Sequence, residues 1–218
     1  VGGVDHLPEH RSGFAVIDLE TTGFAPEVER IVEVGVVVLD RGGKEVGSFC
    51  TLVDPGRDPG PTHIHGITAS MVDGAPTFAA IQPYLAAMLS GRVVVGHNVE
   101  RFDLAFLRAE CRRSGGDGMV PGPLPTVDTL RVAQHHLDMR GRATLVDCCT
   151  HFGLRWADHH SALGDARVTA ALFCSMRGRL GDDVLDLDQG LERAVRAEWP
   201  GRSDTPPAVR ARTDALTG

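Results

Sequence analysis

Apolar residues fill consecutive positions at Phe14-Ala15-Val16-Ile17, the pattern of a strand buried on both faces, and the run passes into Asp18-Leu19-Glu20-Thr21-Thr22-Gly23. Arg30 to Leu39 is rich in β-branched residues, and Glu45 to Val53 follows after the turn signal Asp40-Arg41-Gly42-Gly43. Three consecutive strands with short connections are expected, paired antiparallel. A Pro- and Gly-rich loop from Asp54 to Pro61 leads through His63 to Thr68 into a helix predicted over Pro76 to Leu89, where Phe78, Ile81, Leu85 and Met88 recur at helical spacing. Val93-Val94-Val95-Gly96 reads as a fourth strand. Phe102 to Arg113 reads as a helix with Phe102, Ala105, Phe106 and Ala109 on one side, ended by Gly115-Gly116-Asp117-Gly118. A fifth strand is expected from Leu124 to Val127, then helical segments around Leu130 to Leu137, Leu145 to Phe152 and Ala162 to Met176.

This order predicts an α/β fold: a mixed five-stranded central sheet with its first three strands antiparallel, its last two reached by right-handed crossovers, and helices covering it. Residues 1–12 are polar and irregular and read as a flexible arm, with the main domain at 13–180. A C-terminal helix is expected within 181–199, with Val184, Leu187, Leu191, Ala194 and Val195 on one stripe, and a Pro-, Arg- and Thr-rich tail over 200–218. No internal repeat is visible.

The chain has 218 residues, which suits one domain of mixed architecture and leaves little room for a second full core. Hydrophobic residues at 42% and charged residues at 23% place it among globular chains. No apolar run approaches the ~20 residues that span a bilayer, and no basic patch followed by an apolar stretch opens the chain, so no membrane partner and a cytoplasmic setting are expected. The net charge of −7 argues against a broad electrostatic grip on nucleic acid, although bound divalent cations can turn an acidic pocket into an anchor for phosphate. Five cysteines, Cys50, Cys111, Cys148, Cys149 and Cys174, form no paired framework and fit a reducing compartment.

Two positions separate Asp18 from Glu20, so on a strand both carboxylates project from one face, close enough to share a metal ion. Read alone, such a pair is as well explained by solvated acids at a strand end. Thr21-Thr22-Gly23 adds a tight turn where a phosphate or sugar can come close to the backbone. Asp103 lies in Gly96-His97-Asn98-Val99-Glu100-Arg101-Phe102-Asp103, between the fourth strand and its helix, where an acid also serves simply as a favourable charge on the first turn. Glu100 is its rival, and the apolar stripe of Phe102 and Phe106 favours Asp103. In His159-His160-Ser161-Ala162-Leu163-Gly164-Asp165-Ala166, five residues of continuous helix would turn His160 and Asp165 roughly 140° apart. Both can serve one site only if His160 precedes the helix and Ser161 caps it; His159 competes for the same part. Cys148-Cys149-Thr150-His151 lacks the second ligand pair that a zinc site wants. Asp18, Glu20, Asp103 and Asp165 form a hard, all-oxygen set suited to Mg²⁺ or Mn²⁺.

The four acids and His160 resemble the DEDD 3′→5′ exonucleases, in the histidine-bearing DEDDh branch that includes the proofreading epsilon subunits of bacterial DNA polymerase III. The resemblance covers roughly residues 14–176: Ile17-Asp18-Leu19-Glu20-Thr21-Thr22-Gly23 matches the first motif, His97-Asn98 through Phe102-Asp103 the second, and His160-Ser161-Ala162-Leu163-Gly164-Asp165-Ala166 the third. Lesser similarities lie at Ile64-His65-Gly66-Ile67-Thr68, Met71-Val72, Ala75-Pro76-Thr77-Phe78 and Val127-Asp128-Thr129-Leu130. The spacing from Asn98 to Phe102 is one longer than in the epsilon type and resembles the animal DNA-repair branch. The resemblance implies a ribonuclease H-like fold and hydrolysis from DNA 3′ ends, with hydrolysis of RNA, or a non-catalytic binding module of the same fold, as the alternatives. Asp18, Glu20, Asp103 and Asp165 would hold two ions of Mg²⁺ or Mn²⁺, and His160 would act as general base. It further implies that Thr21, Thr22, Gly23 and Phe24 meet the terminal sugar, that His65 and Ile67 line the base, and that Asn98 contributes to substrate binding. Arg101 and Arg108 would handle phosphate locally, and a polymerase or repair protein is admitted as a partner.

Overall fold

The computed structural model describes residues 12–115, 120, 124–139, 141, 143–156, 160–197, 199 and 201–212; residues 1–11 of the expected arm, the turn at Gly116-Asp117-Gly118, His159 and residues 213–218 lie outside them. Five strands, β1 (Gly13–Thr21), β2 (Ile31–Leu39), β3 (Glu45–Leu52), β4 (Arg92–Gly96) and β5 (Thr126–Asp128), form one sheet of order β3-β2-β1-β4-β5. β1 pairs antiparallel with β2 and β2 with β3, while β4 lies parallel to β1 and β5 parallel to β4. This is the mixed sheet expected from the strand order.

The helices are α1 (Thr62–His65), α2 (Ala69–Val72), α3 (Phe78–Leu89), α4 (Asp103–Arg113), α5 (Thr129–His136), α6 (Leu145–Phe152), α7 (Ala162–Leu180) and α8 (Leu187–Arg196). The one-turn helices α1 and α2 fall in a stretch for which periodicity predicts no element. Side-chain alternation along β1 splits the interior in two. Ala15, Ile17 and Leu19 join Phe78, Ile81, Leu85, Leu104 and Phe106 in a core beneath α3 and α4. Phe14 and Val16 point the other way, into a core with Val132, Cys148, Ala166, Phe173 and Leu191 from α5, α6, α7 and α8. Each fully buried large apolar side chain contributes about 1.5–3 kcal/mol, so both layers hold the sheet firmly.

The C-terminal part differs from expectation. Leu187, Leu191 and Ala194 of α8 are buried, whereas Val184 and Val195, expected on the same stripe, are exposed. Of the stretch read as a tail, the described residues 201–212 form a packed strap. Trp199 belongs to the first core, and Ser203 N–H donates to the Pro83 carbonyl at 2.8 Å, while Val209 packs against the same core. Leu52 N–H donates to the Arg210 carbonyl at 2.8 Å, and Arg210 N–H to Thr51 Oγ1 at 3.0 Å. Pro- and Arg-rich composition signals a chain without a core of its own; here it borrows one from the sheet.

Candidate active site

The pairing of β1 with β4 ends at Val16↔Val95, but β1 runs on to Thr21. Beyond that point the strands part, and the crevice at the carboxyl end of a sheet is where α/β folds place ligands. Asp18 and Glu20 continue the Phe14/Val16 side of β1 and so face α7. Gly35, the ladder partner of Asp18, lets α7 come close: a Cβ there would lie 2.2 Å from the Ala162 carbonyl carbon and 2.4 Å from the Leu163 nitrogen. Ser161 caps α7, its Oγ accepting from Gly164 N–H at 3.1 Å, and Glu33 Oε2 accepts the Ala162 N–H at 2.8 Å. The helix is thereby seated with Asp165 in its first turn, and Asp18, Glu20 and Asp165 offer oxygens that all lie within 4.8 Å of one another. Trp156 Nε1–H donates to Asp165 Oδ1 at 2.9 Å.

Asp103 opens α4 and is buried. It adds the largest charge effect on Asp18 after burial itself, so it borders the same cleft although it stands outside the three-acid cluster. Its rival Glu100 is committed elsewhere, accepting from Thr126 Oγ1 at 2.7 Å and pairing with Arg131 at 3.1 Å. His160 precedes α7, as a shared site requires, and is exposed with φ +62°; its carbonyl accepts from Arg212 Nη2 at 2.7 Å. Cys148 and Cys149 are buried in α6, and among the described residues the three carboxylates are the only metal-competent cluster.

The charges in the cleft repel one another. Burial, then Asp103, Asp165, Glu20 and Glu33, push the Asp18 carboxyl well above its ordinary range. Burial and then Glu33 and Asp165 raise Glu20 to about 7, with Arg212 opposing. Asp103 is raised to about 8, chiefly by burial, against backbone hydrogen bonds from its own amide and Leu19. A divalent cation would relieve this strain, and clustered hard oxygen donors of high charge are the set that Mg²⁺ and Mn²⁺ prefer. The residues therefore fit such an ion.

The remaining candidates divide. Thr21 Oγ1 donates to the Gly23 carbonyl at 2.7 Å, and Thr22 Oγ1 bonds Glu29 while accepting Arg30 N–H at 2.9 Å, which folds the turn after β1 back on itself. Phe24 projects from that turn 80% exposed, with its ring centroid 6.5 Å from that of Phe102. Asn98 is half-buried at φ +67°, its N–H held by Asp128 Oδ1 at 2.9 Å. His65 and Ile67 are both buried. Ile67 packs with Val32, Leu52 and Val72. His65 Nδ1 accepts the Ile67 N–H at 3.0 Å and Nε2 meets the Pro59 carbonyl at 3.2 Å, with burial lowering the imidazole's pKa. Sequence reasoning missed Glu33, Trp156 and Arg212. Glu33 did carry a signal: it is the single charged side chain within the otherwise apolar run Ile31–Leu39. Arg212 carried none.

A mixed sheet with this strand order, helices on both faces and carboxylates at the end of its first strand is a ribonuclease H-like fold. The exonuclease family RNase_T matches residues 15–173. DNA polymerase III subunit epsilon of Treponema pallidum is 36% identical over 170 residues, covering 75% of each chain. The PolC-type DNA polymerase III of Thermotoga maritima is 35% identical over 162 residues, 73% of this chain but 11% of that polymerase. E. coli exonuclease I in complex with a dA16 oligonucleotide superposes with a TM-score of 0.70 at 20% identity, covering 79% of this chain and 42% of that one. The chain belongs to this exonuclease family. It spans about a tenth of the PolC-type relatives and under half of exonuclease I.

Proposed function

We propose that the chain is a metal-dependent 3′→5′ exonuclease that releases nucleoside 5′-monophosphates from DNA ends, with residues 13–180 as the catalytic unit. The observation that carries this reading is the convergence of Asp18, Glu20 and Asp165 within 4.8 Å, with Asp103 beside Asp18, in a chain of the exonuclease family. The four carboxylates would hold two ions, Mg²⁺ or Mn²⁺, which supply Lewis-acid stabilisation of the charge that develops at phosphorus. The exposed imidazole of His160 takes the proton of the attacking water as the new P–O bond forms and the bond to the leaving 3′ oxygen breaks.

The turn Thr21-Thr22-Gly23 presents backbone to the terminal sugar, and the exposed Phe24 ring offers a face for the base, which tolerates any base identity. Asn98 contributes from the segment between β4 and α4. His65 and Ile67, being buried, act by shaping the loop under that pocket. Arg101 and Arg108 lie on the same segment as Asp103 and supply local positive charge. DNA is preferred because oligonucleotide complexes of exonuclease I share the fold and epsilon-type relatives share the sequence. A polymerase or repair assembly is the partner class, and a cytoplasmic setting accords with it; among the described residues no helix is long and apolar enough to cross a membrane.

The test is degradation of 5′-labelled single-stranded DNA, duplex DNA and RNA in Mg²⁺ or Mn²⁺ and in EDTA. Metal-dependent shortening of DNA from its 3′ end is expected, and Asp18→Ala should abolish it while the circular dichroism spectrum is kept. Shortening of RNA alone would replace the substrate assignment; no metal-dependent release from either would end the enzymatic reading.

A further inference from the structure

The strap that passes β3 carries a guanidinium, that of Arg212, close to the acids of the cleft. Arg212 Nε and Nη2 donate to Glu33 Oε1 and Oε2, both at 2.7 Å, in the bidentate fork that matches a carboxylate. Two further donors go to backbone carbonyls: Nη1 to His65 and Nη2 to His160, each at 2.7 Å. Glu33 is buried, stands opposite Glu20 in the ladder, and also holds the Ala162 amide that starts α7. One planar group therefore ties together β2, the end of α1 and the loop that enters α7.

Two features make this more than a surface ion pair. The His160 backbone lies at φ +62°, a conformation that a β-carbon makes costly and that persists only when its surroundings impose it. Arg212 bonds the carbonyl of that same residue. Glu33 without a cation would add an unpaired buried charge next to the acids of the cleft, and its hold on Ala162 depends on staying in place. Lysine, a single point charge on a flexible stem, cannot reach a carboxylate and two carbonyls in one plane.

We propose that Arg212 is a positioning residue for the hydrolytic step: it fixes the backbone of His160, and with it the loop that begins at His65, from the anchor of Glu33. The proposal rests on the exonuclease reading above. It makes the C-terminal strap part of the working site although it lies far from every motif in the sequence.

The test uses the full chain with Arg212→Ala and Arg212→Lys. In Mn²⁺ with single-stranded DNA, kcat is expected to fall about 10- to 100-fold in both variants while KM moves less than about threefold, the scale on which a supporting contact behind a reacting group acts. Guanidinium ion at millimolar concentration should recover part of kcat in Arg212→Ala and leave the unaltered chain unchanged. Independently of activity, hydrogen exchange of the peptide carrying His160 and Ala162 should speed up in Arg212→Ala. Wild-type kcat in the variants, a loss that guanidinium does not recover, or unchanged exchange of that peptide each overturns the role of Arg212. Absence of hydrolysis by the unaltered chain overturns the exonuclease reading itself, and the catalytic purpose of the contact with it.

Discussion

Replacing Glu20 with Gln should stabilise the metal-free protein at mildly alkaline pH and weaken it once metal is bound. Burial and the neighbouring Glu33 and Asp165 raise the Glu20 carboxyl from 4.5 to about 7. A carboxyl raised on folding keeps its proton longer in the folded state, so the unfolded chain releases protons first as pH climbs. Stability from this group is full below about pH 4.5 and is lost as pH rises to about 7. At ~1.36 kcal/mol per unit the full effect is about 3 kcal/mol, which water entering the open cleft trims to roughly 1–3 kcal/mol. Glu20→Gln removes this titration. Urea unfolding followed by circular dichroism in EDTA should show the variant more stable than wild type at about pH 8 and the two within ~1 kcal/mol at about pH 5. Saturating Mn²⁺ should reverse the order, because an ion at a hundred times its dissociation constant adds about 2.7 kcal/mol to the form that binds it. A Gln variant no more stable than wild type in EDTA at about pH 8, or equal Mn²⁺ stabilisation of both, would refute the charge cluster as described.

Gly35→Ala should cost about 1–3 kcal/mol or more and lower the affinity for Mn²⁺, because the new methyl meets the Ala162 backbone and pushes Asp165 away from Asp18; urea midpoints and metal titration measure both effects. Trp199→Ala should lower stability by about 3–5 kcal/mol in thermal or urea unfolding, as expected of a core residue; a change within ~0.5 kcal/mol would show that the segment after α8 is only loosely attached to the core.

The β-strands and the long helices were legible because their signals are local. Consecutive Val and Ile in β2, the helical stripe Phe78, Ile81, Leu85 of α3 and the Ser161 cap of α7 each state a conformation within a few residues. The acids were legible for the same reason: Asp18 and Glu20 share a strand face by period alone, and the five-residue interval from His160 to Asp165 demands a helix start between them. Favouring Asp103 over Glu100 needed only the neighbouring aromatic stripe, and the structure engages Glu100 with Thr126 and Arg131. The burial of His65 and Ile67 was not legible, because a motif gives the path of a loop but not the side on which a neighbouring strand will bury it.

Sequence by itself thus determined the elements, their order and the residues able to ligate a hard cation, since periodicity, capping and donor chemistry are properties of short stretches of chain. Tertiary structure alone decided that three of those acids lie within 4.8 Å, that Gly35 opens the space for α7 to bring them there, and that Arg212 returns across the sheet to Glu33, His65 and His160. Apart from the Arg212–His160 bond, these contacts between elements join residues more than a hundred positions apart, and nothing in the local physics of a Pro- and Arg-rich segment says which buried carboxylate its guanidinium will meet.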